Sequence, residues 1–394
     1  MKDLFVGAMP FSDKHRAMVR IRAPLFNPIT VRAAVRLLPT STVYSLYEMA
    51  NGGDVLDHVM LVFTCAYFAL IYGTSLDAFR PSYVRDTKSL FALLGATFSP
   101  DCSIADIFPA LEYVPGVSWM LKGRAAALLS PLISGTKGRV EEALRIPSWK
   151  AVQAVRAKPP PDTTTDEFCI SLMELEAVPA AMSLTMCGIM KRSLEQPDAM
   201  AKVRAGLDRQ VGPGRLPTQD DIPHLPYFNA FIQETIRLGN LTPLSLPRAP
   251  VHDDEHIGYR IPKDPLVFAF QHGLNTDETI FKNPMVFDPS RWIDYPTLPK
   301  PALFGFGKRA CPGKAFVADT IALTMARMLW GYDFKFRKDA QVHKFVDNLT
   351  FHIDSTENVE YACKSDAHWA LIEQAHKDAD VELSASLEEV RALF

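Results

Sequence analysis

The sequence predicts a mainly α-helical fold with a small β-sheet region, on three observations. Through residue 240 most segments carry apolar side chains at helical spacing, with proline at starts and glycine at stops. One stretch, EHIGYRIPKDPLVFAFQ at 255–271, alternates instead and is rich in β-formers. A glycine-hinged loop with one cysteine, FGFGKRACPG at 304–313, then runs straight into a segment of small and apolar residues.

The elements follow in order. Residues 13–25 carry a basic helical pattern, and 54–73 and 84–97 are apolar helical segments. ADIFPALEYVPG, 105–116, is a connector punctuated by proline, and 118–145 is helical again. Residues 166–194 form a long apolar segment with Pro179 inside it, where a proline removes a backbone bond and bends a helix. Pro197 opens a helix that Gly212 closes; the next starts at Pro226 and stops at Gly239. The alternating stretch predicts a hairpin, with Pro265 between two short runs. Residues 277–303 are proline-rich loop. After Gly313, Ala315, Ala318, Ala322 and Met325 share one side of a tightly packed helix. The tail from 335 gives mixed signals.

Composition narrows the function. The chain has 394 residues, is 48% hydrophobic and 22% charged, and is therefore globular rather than disordered. A formal net charge of -3 gives no reason to expect a nucleic-acid partner. Six cysteines, none in a CxxC pair, argue against zinc and dithiol redox chemistry and suit a reduced, intracellular setting. The N-terminal stretch lacks the apolar core of a signal peptide, and the most apolar run, 61–73, is too short to span a bilayer.

The cysteine loop has three explanations. GFGKRA fits the G-x-G-x-x-A dinucleotide pattern, but YPTLPKPALF before it cannot be a central strand and no βαβ unit follows. A lone cysteine is commonly just a small core residue. The third explanation is a metal thiolate. Backbone N–H groups and the dipole of the following helix would lower the pKa of Cys311. Gly305, Gly307 and Gly313 would let a large flat ligand approach, Phe304 would cover the sulfur, and Arg309 would meet an anionic group. Haem offers the iron, the flat face and the two propionates that such a site needs.

FGFGKRACPG matches F-x-x-G-x-R-x-C-x-G at Phe304, Gly307, Arg309, Cys311 and Gly313. In this it resembles the haem-thiolate signature of the cytochromes P450. The supporting segments stand in family order. Glu234 and Arg237 of ETIR share a helix face, and Arg291 lies in FDPSRW. The resemblance implies a buried Glu234–Arg237–Arg291 network, with Ser290 where the family usually has glutamate. It also implies that Arg248 and Arg309 hold propionates, that Leu244 to Leu246 line the cavity over the haem, and that FSDKHRAMVRIR is the helix crossing one haem edge. On that helix His15 stands for the usual tryptophan, and Arg16 or Arg20 reaches a propionate.

The resemblance, closest to fungal secondary-metabolism P450s, covers nearly the whole chain. It implies one domain over 1–394, haem b held by Cys311, and monooxygenation of a small hydrophobic metabolite. Electrons would come from NADPH through a cytochrome P450 reductase, at the cytosolic face of the endoplasmic reticulum membrane. Two departures stand out. The acid and threonine that usually relay protons over the haem fall on Ala180 and Ala181. The family's membrane anchor, first helix and first strands have no match, which leads us to expect a P450 fold lacking its N-terminal part, with an unpaired edge on the hairpin at 257–270. Two rival expectations follow: a P450 reaction that rearranges or dehydrates its substrate, and a truncated remnant without catalysis.

Overall fold

Proline starts and glycine stops set much of the helix pattern. In the structure, a computed structural model, residues 12–22, 32, 35–72, 87, 134, 136–138, 172, 178–239, 243–245, 248–263, 265–337 and 358–392 are described. The predicted segments 84–97 and 118–145 and the connector at 105–116 lie almost wholly outside them. Helix α1 is Asp13–Arg22, α2 is Leu38–Met49 with proline in its first turn, and α3 is the apolar run Val55–Tyr72. α4 spans Val178–Leu194, α5 Pro197–Gln210 and α6 Pro226–Leu238, the last two opening on the prolines named above. Gly239 ends α6 by donating its N–H to Thr235 O at 2.7 Å; a Cβ there would sit 2.7 Å from that same oxygen, so only glycine fits.

The hairpin lies upstream of its predicted place. β1 (Asp254–His256) pairs antiparallel with β2 (Tyr259–Ile261), with Asp254 opposite Ile261 and His256 opposite Tyr259. The turn is Ile257–Gly258, both at positive φ, as a two-residue hairpin loop requires. Alternation alone placed the break at Pro265, but the backbone twist of a tight turn selects the residue pair next to a glycine. The run after Pro265 forms no strand. It makes one bridge, Val267 to Arg248, with N–H···O distances of 2.9 and 2.6 Å. Ile257 is 82% exposed and Tyr259 76%, and Leu266, Val267, Phe268 and Phe270 are exposed too, so this stretch presents apolar side chains to solvent.

Short helices α7 (Gln271–Asn275) and α8 (Arg291–Asp294) punctuate the loop region. The cysteine loop carries 3₁₀ turns at Ala302–Phe304 and Gly307–Arg309, and α9 follows at Lys314–Gly331. β3 (Tyr332–Phe336) pairs antiparallel with β4 (Val359–Cys363), and α10, Asp366–Ala392, is the long helix that the mixed signals of the tail concealed. α3 packs against α2 and α4, α10 lies along α2, and α9 meets α2, α4 and α5. The core sits among them, with Phe63, Met186, Leu329 and Trp330 fully buried.

One buried cation ties this core together. Arg327 of α9 donates to Pro217 O (2.8 Å), Pro39 O (2.6 Å) and Thr42 Oγ1 (2.6 Å). Burial pushes its pKa down to about 10, partly offset by Glu382 of α10, so the group stays charged at neutral pH. Arg327→Met keeps an apolar stem but strands three acceptors. We expect a loss of about 3 kcal/mol in urea unfolding; a loss below about 1 kcal/mol would show that water replaces the guanidinium there.

Candidate functional site

Glu234 and Arg237 lie three apart on α6, facing inward, and both are fully buried. Arg237 grips the carboxylate with two N–H groups, Nε to Oε2 at 2.9 Å and Nη2 to Oε1 at 2.7 Å. Arg291, at the start of α8, adds Nε to Oε1 at 3.1 Å. Trp292 Nε1 donates to Oε2 at 2.9 Å, and the backbone N–H of Asp288 to Oε1 at 3.0 Å. The structure thus brings Glu234, Arg237 and Arg291 together and adds an indole donor whose role the sequence did not reveal.

Two cations share one carboxylate, and backbone carbonyls take up the surplus. Arg291 donates to Lys282 O (3.0 Å) and Val286 O (3.1 Å), and Arg237 to Asn275 O (2.7 Å). The Arg237 guanidinium also lies 5.1 Å from the centre of the Phe281 ring, a cation–π contact in a desolvated place. Ser290 takes no part in gripping the arginines; its N–H and hydroxyl donate to Asp288 Oδ1 at 3.0 and 2.6 Å and shape the turn into α8.

Asn275 carries this network to the cysteine loop. Its backbone oxygen receives Arg237, and its side-chain Oδ1 accepts the N–H of Ala302 at 3.0 Å. Nothing in the surrounding sequence, GLNTDET, signals that double role. From Ala302 the chain turns through Phe304 to Cys311, whose N–H donates to Phe304 O at 2.8 Å and closes the loop. Gly305 and Gly307 make that closure possible at φ +66° and +62°, a region costly for other residues. A Cβ at either would meet no other group, so conformation rather than space demands glycine.

Cys311 is exposed, unlike the buried Cys65 and Cys187. Although the residue has open surface, its sulfur is crowded, and burial pushes the thiol pKa up; one N–H bond, from Gly313, opposes this. The expected lowering by the α9 terminus is therefore outweighed, because desolvation of the thiolate exceeds what a single amide returns. A metal cation facing the sulfur would reverse the balance, since a coordinated thiol is deprotonated outright. Ala315 and Ala318, placed by the sequence on a packed face, are exposed just beyond the cysteine. Lys314 Nζ lies 5.8 Å from the Phe304 ring.

Two guanidiniums approach the same loop. Burial lowers the pKa of Arg309, and the positive charge of Arg248 lowers it further. Burial also lowers that of Arg248, although much of its surface is open, and its backbone is pinned by the Val267 bridge. From α1, His15 Nε2 comes within 2.6 Å of Arg309 Nη1. Arg20 is exposed and sits about 140° around the helix from His15. Arg16 pairs with Asp13 instead. An exposed cysteine beside small residues, with two arginines nearby, suits a flat group that carries a metal and carboxylates.

On α4, Ala180 is buried and Ala181 packs against the core. Pro179 lies at the described start of α4; residues 173–177, including Glu174 and Glu176, lie outside the description, as does Leu246. The hydroxyls of Ser183 and Thr185 donate to Pro179 O (2.6 Å) and Ala181 O (2.9 Å) of their own helix. No helix among the described residues is long and apolar enough to cross a membrane.

Comparison with known proteins places this geometry. A family model described as Cytochrome P450 matches residues 43–357. The chain is 29% identical to Cytochrome P450 monooxygenase FrzL of a Cladobotryum species, over 98% of this chain and 76% of that protein. It is 27% identical to Cytochrome P450 monooxygenase aneD of Aspergillus aculeatus, over 83% of this chain and 64% of the other. It is 42% identical to Fumitremorgin C synthase of Aspergillus fumigatus across 39% of this chain and 29% of that protein. Among solved structures, a zebrafish cytochrome P450 with abiraterone shares the fold, with a TM-score of 0.69 at 17% identity, covering 92% of this chain and 85% of the other.

Glu234→Gln conserves shape and removes the shared negative charge. Leaving two buried guanidiniums uncompensated should cost about 3–5 kcal/mol in chemical denaturation. A double variant that also replaces Arg237 should lose less than the sum of the two single losses. Additive losses would show that the residues act independently.

Proposed function

The chain belongs to the cytochrome P450 family, and from that premise we propose that it binds haem b through Cys311 and oxidises a small hydrophobic metabolite. The observation that carries the proposal is the exposed Cys311 on a loop closed by Phe304 O, with Arg309 in the same loop and Arg248 close to it. A thiolate-ligated haem supplies the oxidising chemistry, because electron donation from sulfur favours O–O cleavage.

The protein's own groups do the rest. Cys311 would give up its proton and present the sulfur to the group, and Phe304, whose ring lies 5.8 Å from the Lys314 ammonium, would cover it. Gly313 donates its N–H to the sulfur and stabilises the thiolate. Arg248 and Arg309 each offer a planar fork of donors to a carboxylate. Glu234, Arg237 and Arg291 hold the frame and touch no reactant. On α4, Ala180 and Ala181 hold no transferable proton, and the hydroxyls of Ser183 and Thr185 donate to carbonyls of their own helix. Either water or substrate groups relay protons, or the reaction needs no relay.

The redox partner we propose is NADPH–cytochrome P450 reductase, docking on the cysteine side, where Lys308 and Lys314 are exposed. The named relatives are fungal, which supports a place in secondary metabolism and, by family habit, at the endoplasmic reticulum membrane. A second reading is favoured by Ala180 and Ala181: a rearrangement or dehydration that needs no proton relay.

Haem-loaded protein should turn over a hydrophobic substrate with reductase, NADPH and isotopically labelled dioxygen, and the product should carry one labelled oxygen atom. Cys311→Ser should lose both this activity and the thiolate-type Soret band of the reduced carbon monoxide adduct. An unlabelled product formed without NADPH supports the second reading instead.

A further inference from the structure

The contact between α1 and the cysteine loop joins an imidazole to a guanidinium. His15 Nε2 and Arg309 Nη1 are 2.6 Å apart, and His15 is only 6% exposed. Arginine offers donors and no acceptor, so the ring nitrogen must accept. That fixes His15 as the neutral ring with its hydrogen on Nδ1. The contact is built into the helix. Ser12 Oγ accepts the His15 backbone N–H at 3.1 Å at the start of α1, and Met18, one turn on, is buried in the core.

The choice of a neutral acceptor matters. A carboxylate beside Arg309 would orient it equally well but would cancel its charge and compete for its donors. A neutral imidazole holds one N–H of the fork and leaves the positive charge intact. Asp13, the acid nearest His15 in sequence, pairs with Arg16 instead. Arg248 lies close enough that its positive charge lowers the pKa of Arg309, as a nearby carboxylate would not.

We propose that His15 is the positioning residue for Arg309: its Nε2 fixes the direction in which the guanidinium meets a carboxylate of the cofactor, without neutralising it. This rests on the haem reading above, and the experiment separates the two.

The full-length chain, stripped of haem, is titrated with iron protoporphyrin IX and with its dimethyl ester, whose carboxylates are masked. Wild type, His15→Leu and His15→Gln are compared, with far-UV circular dichroism to check folding. His15→Leu should bind haem about tenfold more weakly, the worth of one hydrogen bond to a charged group. It should bind the ester as wild type does. His15→Gln, which keeps an acceptor oxygen, should recover most of the haem affinity. Haem binding by His15→Leu equal to wild type, or equal losses for haem and ester, would overturn the assignment. If wild type itself takes up neither compound, the haem reading falls and this inference falls with it.

Discussion

A single buried carboxylate, Glu234, organises the cysteine side of the molecule. It accepts from Arg237, Arg291, Trp292 and the backbone of Asp288, and so joins α6 to the loop and helix at 288–292. A buried ion cluster is not in itself a source of stability, because desolvation offsets much of the attraction. Its value lies in geometry: every donor has one place to go. Arg237 passes the constraint to Asn275 O, and Asn275 Oδ1 passes it to Ala302, where the cysteine loop begins. The position of Cys311 is therefore set from a distance.

The loop shows how backbone conformation and charge work in opposite directions. Two glycines at positive φ let Cys311 N–H reach Phe304 O on an exposed loop. The same closeness desolvates the sulfur and raises its pKa. The helix end alone does not make a thiolate here; a bound cation would. The positive charge of Arg248 also lowers the pKa of Arg309, so carboxylates beside the pair would be favourable. A cofactor that supplies a cation and carboxylates would suit both features.

Much of this was legible in the residues. Proline starts and glycine stops located α5 and α6, since both act through the local backbone. The cysteine loop was legible because its glycines, arginine and cysteine are adjacent in sequence. The hairpin turns earlier than alternation predicts, because alternation continues past Pro265 while the turn is decided by Ile257–Gly258. Ala315 and Ala318 are exposed where periodicity predicts packing, for periodicity tells which residues share a face but not what covers it. Asn275, Trp292 as a donor, and the His15–Arg309 contact involve partners far apart in the chain, and spacing says nothing of such pairs. The lowered thiol pKa expected from helix position failed because sequence gives no measure of desolvation.

The central claim is that Cys311 gives its sulfur to iron. Iron-edge X-ray absorption on the haem-loaded protein tests it most directly. The account predicts one sulfur neighbour in the first coordination shell beside the porphyrin nitrogens. A shell of nitrogen and oxygen alone would contradict it.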